Sequence, residues 1–403
     1  MTMKTILRRT DVRLLLTGQS LSMFGDWMMI IVLGIWTKVL TGSNGAAGFV
    51  FFLFALAGIV SPLGGLLVDR LPKRRLMIAT HLGLAGVMCL LLLVHGEDDV
   101  WIIYLVTALY GLGGDIFASA RQSMLKAMLP DELLGDANGA LQSLREGLRL
   151  VAPLAGAGLF AITGGRVVAL VAATSFVLSA ATLVALRFAE PPAAVAEHHF
   201  FREVTAGLGH IWRDRMLRQL TVGVGATMLV IGFSETLIFA ITSALGRPAS
   251  FIGVRGTLQG VGSIAGGVTA GRLMRRLGEL RTAGLGIALF GVGDGLWLVP
   301  SLPVVLAAMA VAGLGIVWAV VAIGTAYQRR SAQSMQGRVA GAANMLFTVP
   351  QTVSIALGAA LITVIDYRIE IVVMGIGVAL SAAYLLSRSA VAPESEPDVA
   401  LAA

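Results

Sequence analysis

The sequence predicts an all-α membrane protein whose twelve transmembrane helices form two pseudo-symmetric six-helix bundles. Three observations predict this fold class: the composition, the distribution of basic residues over the loops, and an internal repeat. Hydrophobic residues make up 57% of the 403 residues and charged residues only 13%, whereas soluble domains carry about 25% charged residues. One membrane-spanning helix uses only about 20 residues. The composition therefore excludes an ordinary soluble protein and a protein with a single membrane anchor.

Apolar stretches of about 20 residues recur along the whole chain and predict the individual helices. The first stretch is too long for a signal-peptide core and no small-residue cleavage site follows it, so we expect a helix of the mature fold. Almost no sequence remains for a soluble domain. The predicted spans are 13–38, 46–68, 76–95, 100–122, 138–163, 166–187, 219–245, 250–271, 282–300, 302–327, 340–365 and 369–388.

The net charge of +7 predicts an orientation rather than an acidic or nucleic-acid partner. Basic residues precede span one and follow spans two, six, eight and ten, which places them all on one side of the membrane. By the positive-inside rule this side is cytoplasmic, and both termini lie on it. We therefore expect a multi-pass protein of the cell (inner) membrane with cytoplasmic N- and C-termini. The opposite loops contain only Lys38, Arg166, Arg247 and Arg368 as basic residues.

The one long loop divides the chain into two halves. We predict an N-terminal bundle over 1–187, a linker over 188–218, a C-terminal bundle over 219–388 and a disordered tail over 389–403. Apolar residues of the linker recur at helical spacing among arginines, which is typical of an amphipathic helix on the inner membrane surface. The plainer interpretation is a tether that joins the two halves. The apolar positions are Phe200, Phe201, Val204, Leu208, Ile211 and Trp212.

The two halves align at one fixed offset of 202 residues. Residues 64–74 then lie over 266–276, with a Gly-Gly pair, an Arg-Leu pair and two basic residues in common, at the ends of spans two and eight. The same offset pairs Gly111 with Gly313, Gly113 with Gly315 and Gly156 with Gly358. Parallel repeats of this kind imply a pseudo-two-fold axis along the membrane normal and a substrate site between the halves near the midplane.

The loop after span two carries the motif Gly65-x-x-x-Asp69-Arg70-x-Pro72-Lys73-Arg74. It resembles motif A of the major facilitator superfamily, Gly-x-x-x-Asp-Arg/Lys-x-Gly-Arg-Arg/Lys, with Pro72 at a glycine position. The resemblance implies a gate formed by Gly65, Asp69, Arg70, Lys73 and Arg74. In the family, the aspartate caps the positive N-terminal end of span eleven when the cytoplasmic side is closed.

Further stretches narrow the resemblance to an exporter branch. Residues 152–158, Ala-Pro-Leu-Ala-Gly-Ala-Gly, resemble the antiporter motif Gly-Pro-x-x-Gly-Gly, which Pro153 and Gly156 match. Residues 18–27, 118–123 and 134–139 are similar to the branch that contains drug and macrolide-efflux proteins and enterobactin exporters. The resemblance implies the major facilitator fold and proton-coupled efflux.

Ionisable residues inside the spans are the candidates for coupling, because a charge at the centre of a membrane helix costs at least about 2.5–3.5 kcal/mol. Asp26 lies near the midplane of span one with no basic residue of its own helix nearby. Burial disfavours a carboxylate, so Asp26 is expected to bind and release a proton. The alternative is a structural carboxyl group held by hydroxyls or by an arginine from another helix. Glu235 in span seven is the corresponding acid of the second half, and could instead recognise a cationic substrate. Arg255 is its candidate ion-pair partner.

A charge network is predicted in spans four and five. Glu146 and Arg149 are one helical turn apart, Arg145 precedes them, and Asp115 should lie at a similar depth. An ion network that locks the bundle is the plainer interpretation, and a proton relay or a contact to a substrate anion is the alternative. Asp294 in span nine is interpreted first as a hydrated residue at a helix end.

Neither catalytic nor cofactor chemistry is indicated. The single cysteine, Cys89, excludes an internal disulfide, the five histidines have no metal-ligand spacing, and no Walker sequence is present. The sequence therefore predicts no enzyme, no metal and no cofactor. It predicts a monomeric proton-coupled antiporter that exports a hydrophobic or amphipathic molecule, with protons and membrane lipids as its other partners and no nucleic acid. Lysolipid or siderophore transport and uptake by symport are the alternatives within the fold; a membrane enzyme or sensor is the alternative outside it.

Overall fold

The computed structural model describes residues 10–129, 131–186, 200–299, 301–332 and 335–388. Side chains are described in these ranges except at residues 60–70, 126, 131–140, 142–143, 146 and 200–203. Thirteen α-helices occur within the described residues, joined by turns and short 3-10 helices. The predicted connecting segment 188–199 and tail 389–403 lie outside the described residues.

Six helices form the first half. The first connection is short because Gly42, with φ of 66°, ends one helix and the Ser43 side chain caps the next by accepting from the amide of Ala46 at 3.1 Å. The helices are α1 Thr10–Thr41, α2 Asn44–Arg70, α3 Lys73–Leu90, α4 Val100–Met128, α5 Asp131–Thr163 and α6 Gly165–Ala185.

Seven helices form the linker and the second half. They are α7 Phe200–Arg213, α8 Arg215–Ile231, α9 Ser234–Ala244, α10 Ile252–Gly295, α11 Leu302–Arg329, α12 Gln336–Leu361 and α13 Tyr367–Leu386. The pair α8 and α9 falls on the one predicted span 219–245 and is bent by 40°, a break that the apolar pattern does not reveal. Conversely α10 contains two spans, which meet where Gly278 adopts a φ of 78°. A non-glycine residue would be strained there.

The described residues form α-helices, and seven of these helices are individually long and apolar enough to cross a membrane. The α8–α9 pair makes an eighth if its two arms form one span. The remaining predicted spans, 46–68, 138–163, 250–271 and 282–300, fall on α2, α5 and the two arms of α10.

Packing contacts repeat between the halves at the offset found in the sequence. A Cβ on Gly111 would meet Ala57 of α2, and one on Gly313 would meet Gln259 of α10, which lies 202 residues further on. A Cβ on Gly113 would meet the Leu84 side chain, and one on Gly315 would meet the backbone of Gly286, again 202 residues further on. The aligned glycines are therefore positions where equivalent helices approach closely.

The linker helix α7, which the sequence predicted as an amphipathic helix on the inner membrane surface or a plain tether, packs on protein along one of its sides. Ile211 is fully buried, and a Cβ on Gly207 would meet the carbonyl oxygen of Arg338 in α12. The His210 ring nitrogen Nε2 lies 2.8 Å from the Arg330 carbonyl oxygen. Among the apolar side chains described in α7, only Trp212 is exposed, at 49%. The apolar side of α7 is buried in part because it lies against the end of α11 and the start of α12.

The halves meet on the side away from the termini. We call this the far side; it contains the turns at 42–43, 164, 246–251 and 362–366, and the terminal side is its opposite. A Cβ on Gly48 of α2 would lie 3.2 Å from the Cβ of Ala359 in α12. On the other flank, the Thr257 hydroxyl of α10 donates to the carbonyl oxygen of Leu150 in α5 at 3.1 Å.

Candidate functional site

Asp26 lies in the middle of α1, opposite α4. The Tyr110 hydroxyl donates to its Oδ1 at 2.9 Å and also lies 3.2 Å from its backbone oxygen. Tyr110 itself is only 3% exposed. Both residues lie about 15–22 Å along their helices from the far side, at 1.5 Å per residue, so they are near the membrane midplane. A carboxylate in this position can take up or release a proton.

Two arginines give Asp26 a positive environment without a direct ion pair. Arg121 of α4 and Arg145 of α5 lie within electrostatic reach of the carboxylate. Arg121 donates instead to the Gln19 side-chain oxygen at 2.6 Å, and its Nε is buried without a partner among the described residues. A guanidinium with a spare donor beside a buried carboxyl group can stabilise its charged form.

His81 of α3 borders the same region. Its ring stacks on Phe117 with centroids 3.6 Å apart, it is only 2% exposed, and its Nδ1 has no partner among the described residues. Within the described part of the chain no group of three metal-binding side chains occurs. His81 therefore contributes packing and one unused polar atom.

The network predicted across α4 and α5 is only partly brought together. The Arg149 guanidinium lies over the Trp27 ring at 5.6 Å, while Arg145 and Arg149 are both exposed. Asp115 is half-buried and makes no hydrogen bond or ion pair with the residues that the structure describes. The Glu146 side chain lies outside the described residues.

In the second half, Glu235 begins α9 directly after the break in span seven. The expected ion pair with Arg255 is absent from the described contacts. The Arg255 guanidinium instead donates to the Ser234 carbonyl oxygen at 3.4 Å and lies over the Trp297 ring at 5.4 Å.

Asp294 belongs to the same group, because Arg255 and Glu235 both lie within electrostatic reach of it. It is near the end of α10, as the sequence suggested, but it is 1% exposed and therefore not hydrated. Its Oδ2 and the Trp297 Nε1 are both buried without partners among the described residues. Neighbouring helices cover this end of α10, which no property of its own sequence indicates.

The two antiporter-motif residues lie where three helices cross. Pro153 is inside α5, and a Cβ on Gly253 of α10 would be 3.1 Å from its carbonyl oxygen. A Cβ on Gly156 would be 3.0 Å from the Cα of Met28 in α1. Gly156 is therefore required for close contact between α5 and the helix that carries Asp26.

Motif A is only partly described. Gly65, Asp69 and Arg70 lie at the end of α2 and their side chains are outside the described residues, so the Asp69 latch stays a prediction. The Lys73 ammonium donates to the Leu71 carbonyl at 3.1 Å. Arg74 donates to the carbonyls of Leu183 at 2.9 Å and Val184 at 2.6 Å, and so caps the C-terminal end of α6.

Sequence reasoning missed three polar residues of these bundles: Tyr110, Arg121 and Glu370. Glu370 of α13 is 1% exposed and neither carboxylate oxygen has a partner among the described residues. The rule that selected Asp26 applies to Arg121 and Glu370 as well, because both lie within or at the edge of apolar stretches. Tyr110 gives no such signal, since tyrosine is common in membrane helices.

Comparison with known proteins identifies relatives along nearly the whole chain. The family model described as Major Facilitator Superfamily matches residues 15–243 and 220–401. The multidrug efflux pump Tap of Mycobacterium tuberculosis is 27% identical over 346 residues, 81% of each chain. An uncharacterised MFS-type transporter, YfiS of Bacillus subtilis, is 27% identical over 269 residues, 64% of this chain. The chain covers 63% of the length of YfiS.

Solved structures agree in fold. A bacterial homologue of the iron transporter ferroportin in its inward-facing state matches with a TM-score of 0.75 and 16% identity, over 96% of this chain and all (100%) of that one. The nucleoside transporter NupG matches with a TM-score of 0.74 and 10% identity, over 94% and 100% of the two chains.

Proposed function

Because the chain belongs to the Major Facilitator Superfamily, we propose that it is a proton-coupled antiporter that exports a hydrophobic or amphipathic small molecule. The observation that carries the proposal is the midplane carboxylate of Asp26, bonded to Tyr110 and within reach of Arg121 and Arg145. Relatives that are named as multidrug efflux proteins, Tap among them, support the substrate class.

In this mechanism the two bundles open alternately to the two sides of the membrane. Proton uptake at Asp26 neutralises a buried charge and lowers the cost of moving it through a closed, dry intermediate. Proton loss restores an anion that Arg121 stabilises. Glu235 has the matching role in the second half, or contacts a cationic substrate. Coupling arises because proton and substrate binding favour opposite openings.

The same proposal includes the orientation and the gate. Both termini are cytoplasmic by the positive-inside rule, so the far side faces outward. The protein works as a monomer in the inner membrane. The Asp69 carboxylate caps the N-terminal end of α12 near Gly337 and Arg338 in the cytoplasm-closed state. The Asp69→Asn variant is then expected to shift inter-bundle distances towards the inward-open state, as read by spin-label spectroscopy.

Transport of ethidium by proteoliposomes with an imposed proton gradient tests the proposal. Asp26→Asn is expected to abolish gradient-driven accumulation while leaving downhill ethidium exchange, because a neutral amide cannot carry the proton. Glu235→Gln is expected to reduce both. Asp98→Asn, which changes an exposed carboxylate on the far side, is the matched control. Gradient-driven flux that persists unchanged in both Asp26→Asn and Glu235→Gln would show that coupling lies elsewhere. Accumulation along the proton gradient rather than against it would identify uptake.

A further inference from the structure

A cavity of about 210 Å³ lies between the two halves on the far side. The first half contributes the end of α1, with Lys38. The second contributes the last turn of α9 and the connection to α10, with Arg247. None of the residues that line this cavity is acidic. Two of the four basic residues on the far side, which is otherwise poor in them, thus face one space from opposite bundles.

Both cations are positioned by the way their helices end. Gly42 has φ of 66°, and its amide donates to the Lys38 carbonyl at 2.9 Å, which is the αL termination of α1. Gly246 has φ of 63°. Its amide donates to the backbone carbonyl of Ser243, and the Arg247 amide donates to that of Thr242, at 3.0 Å each. This pattern is a Schellman motif, and it turns the residue after the glycine back beside the last turn of α9.

The rest of the lining is suited to a molecule with one charged and one apolar end. Thr242 and Ser243 present hydroxyl groups beside the cations, while Phe239, Val39 and Ile252 provide apolar surface. The hydroxyls already donate to carbonyls of their own helix, so each still has lone pairs rather than a free donor. The donors for an anion are therefore the Lys38 ammonium and the exposed Arg247 guanidinium. The ammonium already donates one hydrogen bond to the Gly42 carbonyl oxygen at 2.5 Å, which leaves two of its hydrogens.

We propose that this cavity binds the anionic head group of an amphipathic molecule, and that the bound anion bridges Lys38 and Arg247 and so holds the far side closed. Lys38 and Arg247 line the cavity from opposite halves, and no acidic residue lines it with them. A phosphate or carboxylate in the cavity accepts a charge-assisted hydrogen bond from each cation and so ties the two halves together. The ligand is either an anionic phospholipid of the surrounding leaflet or a soluble amphipathic acid.

The simpler role of these cations is to stabilise the C-terminal ends of their own helices through the helix dipole. That role requires no anion and no cooperation between the halves. The two roles predict different results, because only a bridging anion makes the effects of Lys38 and Arg247 depend on a ligand and on each other.

Binding is measured with the full-length protein in detergent, without substrate or proton gradient, so the result does not depend on the transport proposal. Native mass spectrometry compares phosphatidylglycerol with phosphatidylcholine, and a separate arm uses laurate and inorganic phosphate. We expect phosphatidylglycerol or laurate to bind preferentially, and Lys38→Gln with Arg247→Gln to weaken this binding by about tenfold or more. Arg368→Gln, an exposed arginine on the same side outside the cavity, is the matched control.

The binding measurements distinguish the two possible ligands. Preference for phosphatidylglycerol identifies an anionic lipid, and preference for laurate identifies a soluble amphipathic acid. Equal binding to the native chain and to the double variant would overturn the site. A comparable loss with Arg368→Gln would do the same, because it would indicate general surface charge.

The bridging step has its own readout. Spin labels at Asp98→Cys and Val364→Cys, in a Cys89→Ser background, report the separation of the two halves on the far side. The preferred anion is expected to increase the short-distance population in the otherwise native chain and to leave the Lys38→Gln, Arg247→Gln chain unchanged. An equal shift in both chains, or no shift in either, would refute the bridge.

Discussion

Adjacent basic residues of the loop after α2 make different contacts. Arg74 and Arg75 are adjacent members of one basic run, yet Arg74 donates two hydrogen bonds to the end of α6 while Arg75 is exposed. The difference arises because the start of α3 presents only one of two successive side chains to α6. A residue of a gating motif therefore also stabilises the bundle.

Arg74→Gln is expected to lower the stability of the solubilised protein by about 1 kcal/mol, since two charge-assisted bonds to helix-end carbonyls are lost at a partly exposed site. Thermal unfolding in detergent measures this. Arg75→Gln is the adjacent control and should leave the melting temperature unchanged. Equal melting temperatures for the two variants would mean that the cap contributes nothing.

At the level of helices, close crossings depend on single glycines. Gly156 and Gly158 are two residues apart in α5, but a Cβ on Gly156 would press on the backbone of Met28, whereas one on Gly158 meets nothing within 4 Å. The Gly156 crossing holds α5 against the helix that carries Asp26, so packing and the candidate coupling residue are linked.

Gly156→Ala is expected to destabilise the protein by about 1–3 kcal/mol through overpacking and to reduce gradient-driven transport. Gly158→Ala should be neutral or slightly stabilising, because alanine favours the helix and has room. Unfolding in detergent and proteoliposome flux are the measurements. The interpretation fails if the two alanines have the same effect.

The linker helix α7 shows the same dependence on one glycine. Gly207 touches the Arg338 carbonyl, while Gly209 faces open space. Gly207→Val is expected to detach α7 from α12, which would raise amide hydrogen exchange in α7 and at the start of α12. Gly209→Val changes the helix equally without touching α12 and should leave exchange at α12 unaltered. Equal protection in the two variants would show that α7 is held by other contacts.

For the molecule as a whole, the described contacts between the halves place the closed side away from the termini. A Cβ on Gly48 would lie 3.2 Å from the Cβ of Ala359 across this junction, slightly less than the spacing of about 3.5–4.5 Å in disulfides. It would also lie 2.5 Å from the Thr236 hydroxyl, whose side chain has to shift to admit it. Alternating access requires this contact to break in each cycle.

Gly48→Cys with Ala359→Cys, in a Cys89→Ser background, is therefore expected to form a disulfide on oxidation and to stop transport. Reduction should restore transport, and each single cysteine variant should be insensitive to oxidant. Full flux through the oxidised, cross-linked protein would rule out opening at this junction as part of the cycle.

Much of the fold follows from the sequence because a chain in lipid cannot hydrogen-bond its backbone to water. Every backbone polar group in hydrocarbon must be satisfied within the segment, so a stretch of about 20 apolar residues has few alternatives to a helix. The predicted apolar stretches fall on the helices of the structure, and the 202-residue repeat located the equivalent crossings at Gly111 and Gly313 and at Gly113 and Gly315. The break before Glu235 was not predicted, because both arms are apolar and the bend depends on α12, where Gln351 and Ile355 contact Gly232.

The sequence by itself predicted where the apolar helical stretches lie, that the chain repeats in two halves, and which few carboxylates lie within hydrocarbon, where a charge is costly. Only the tertiary structure decided which groups meet: Tyr110 with Asp26, and Arg255 with Trp297 rather than with Glu235. It also placed Lys38 and Arg247 on the lining of one cavity. The physical reason is the distance over which each interaction is determined. Burial of a helix depends on its own composition, whereas a hydrogen bond or a charge contact depends on a partner about 3–5 Å away on another helix.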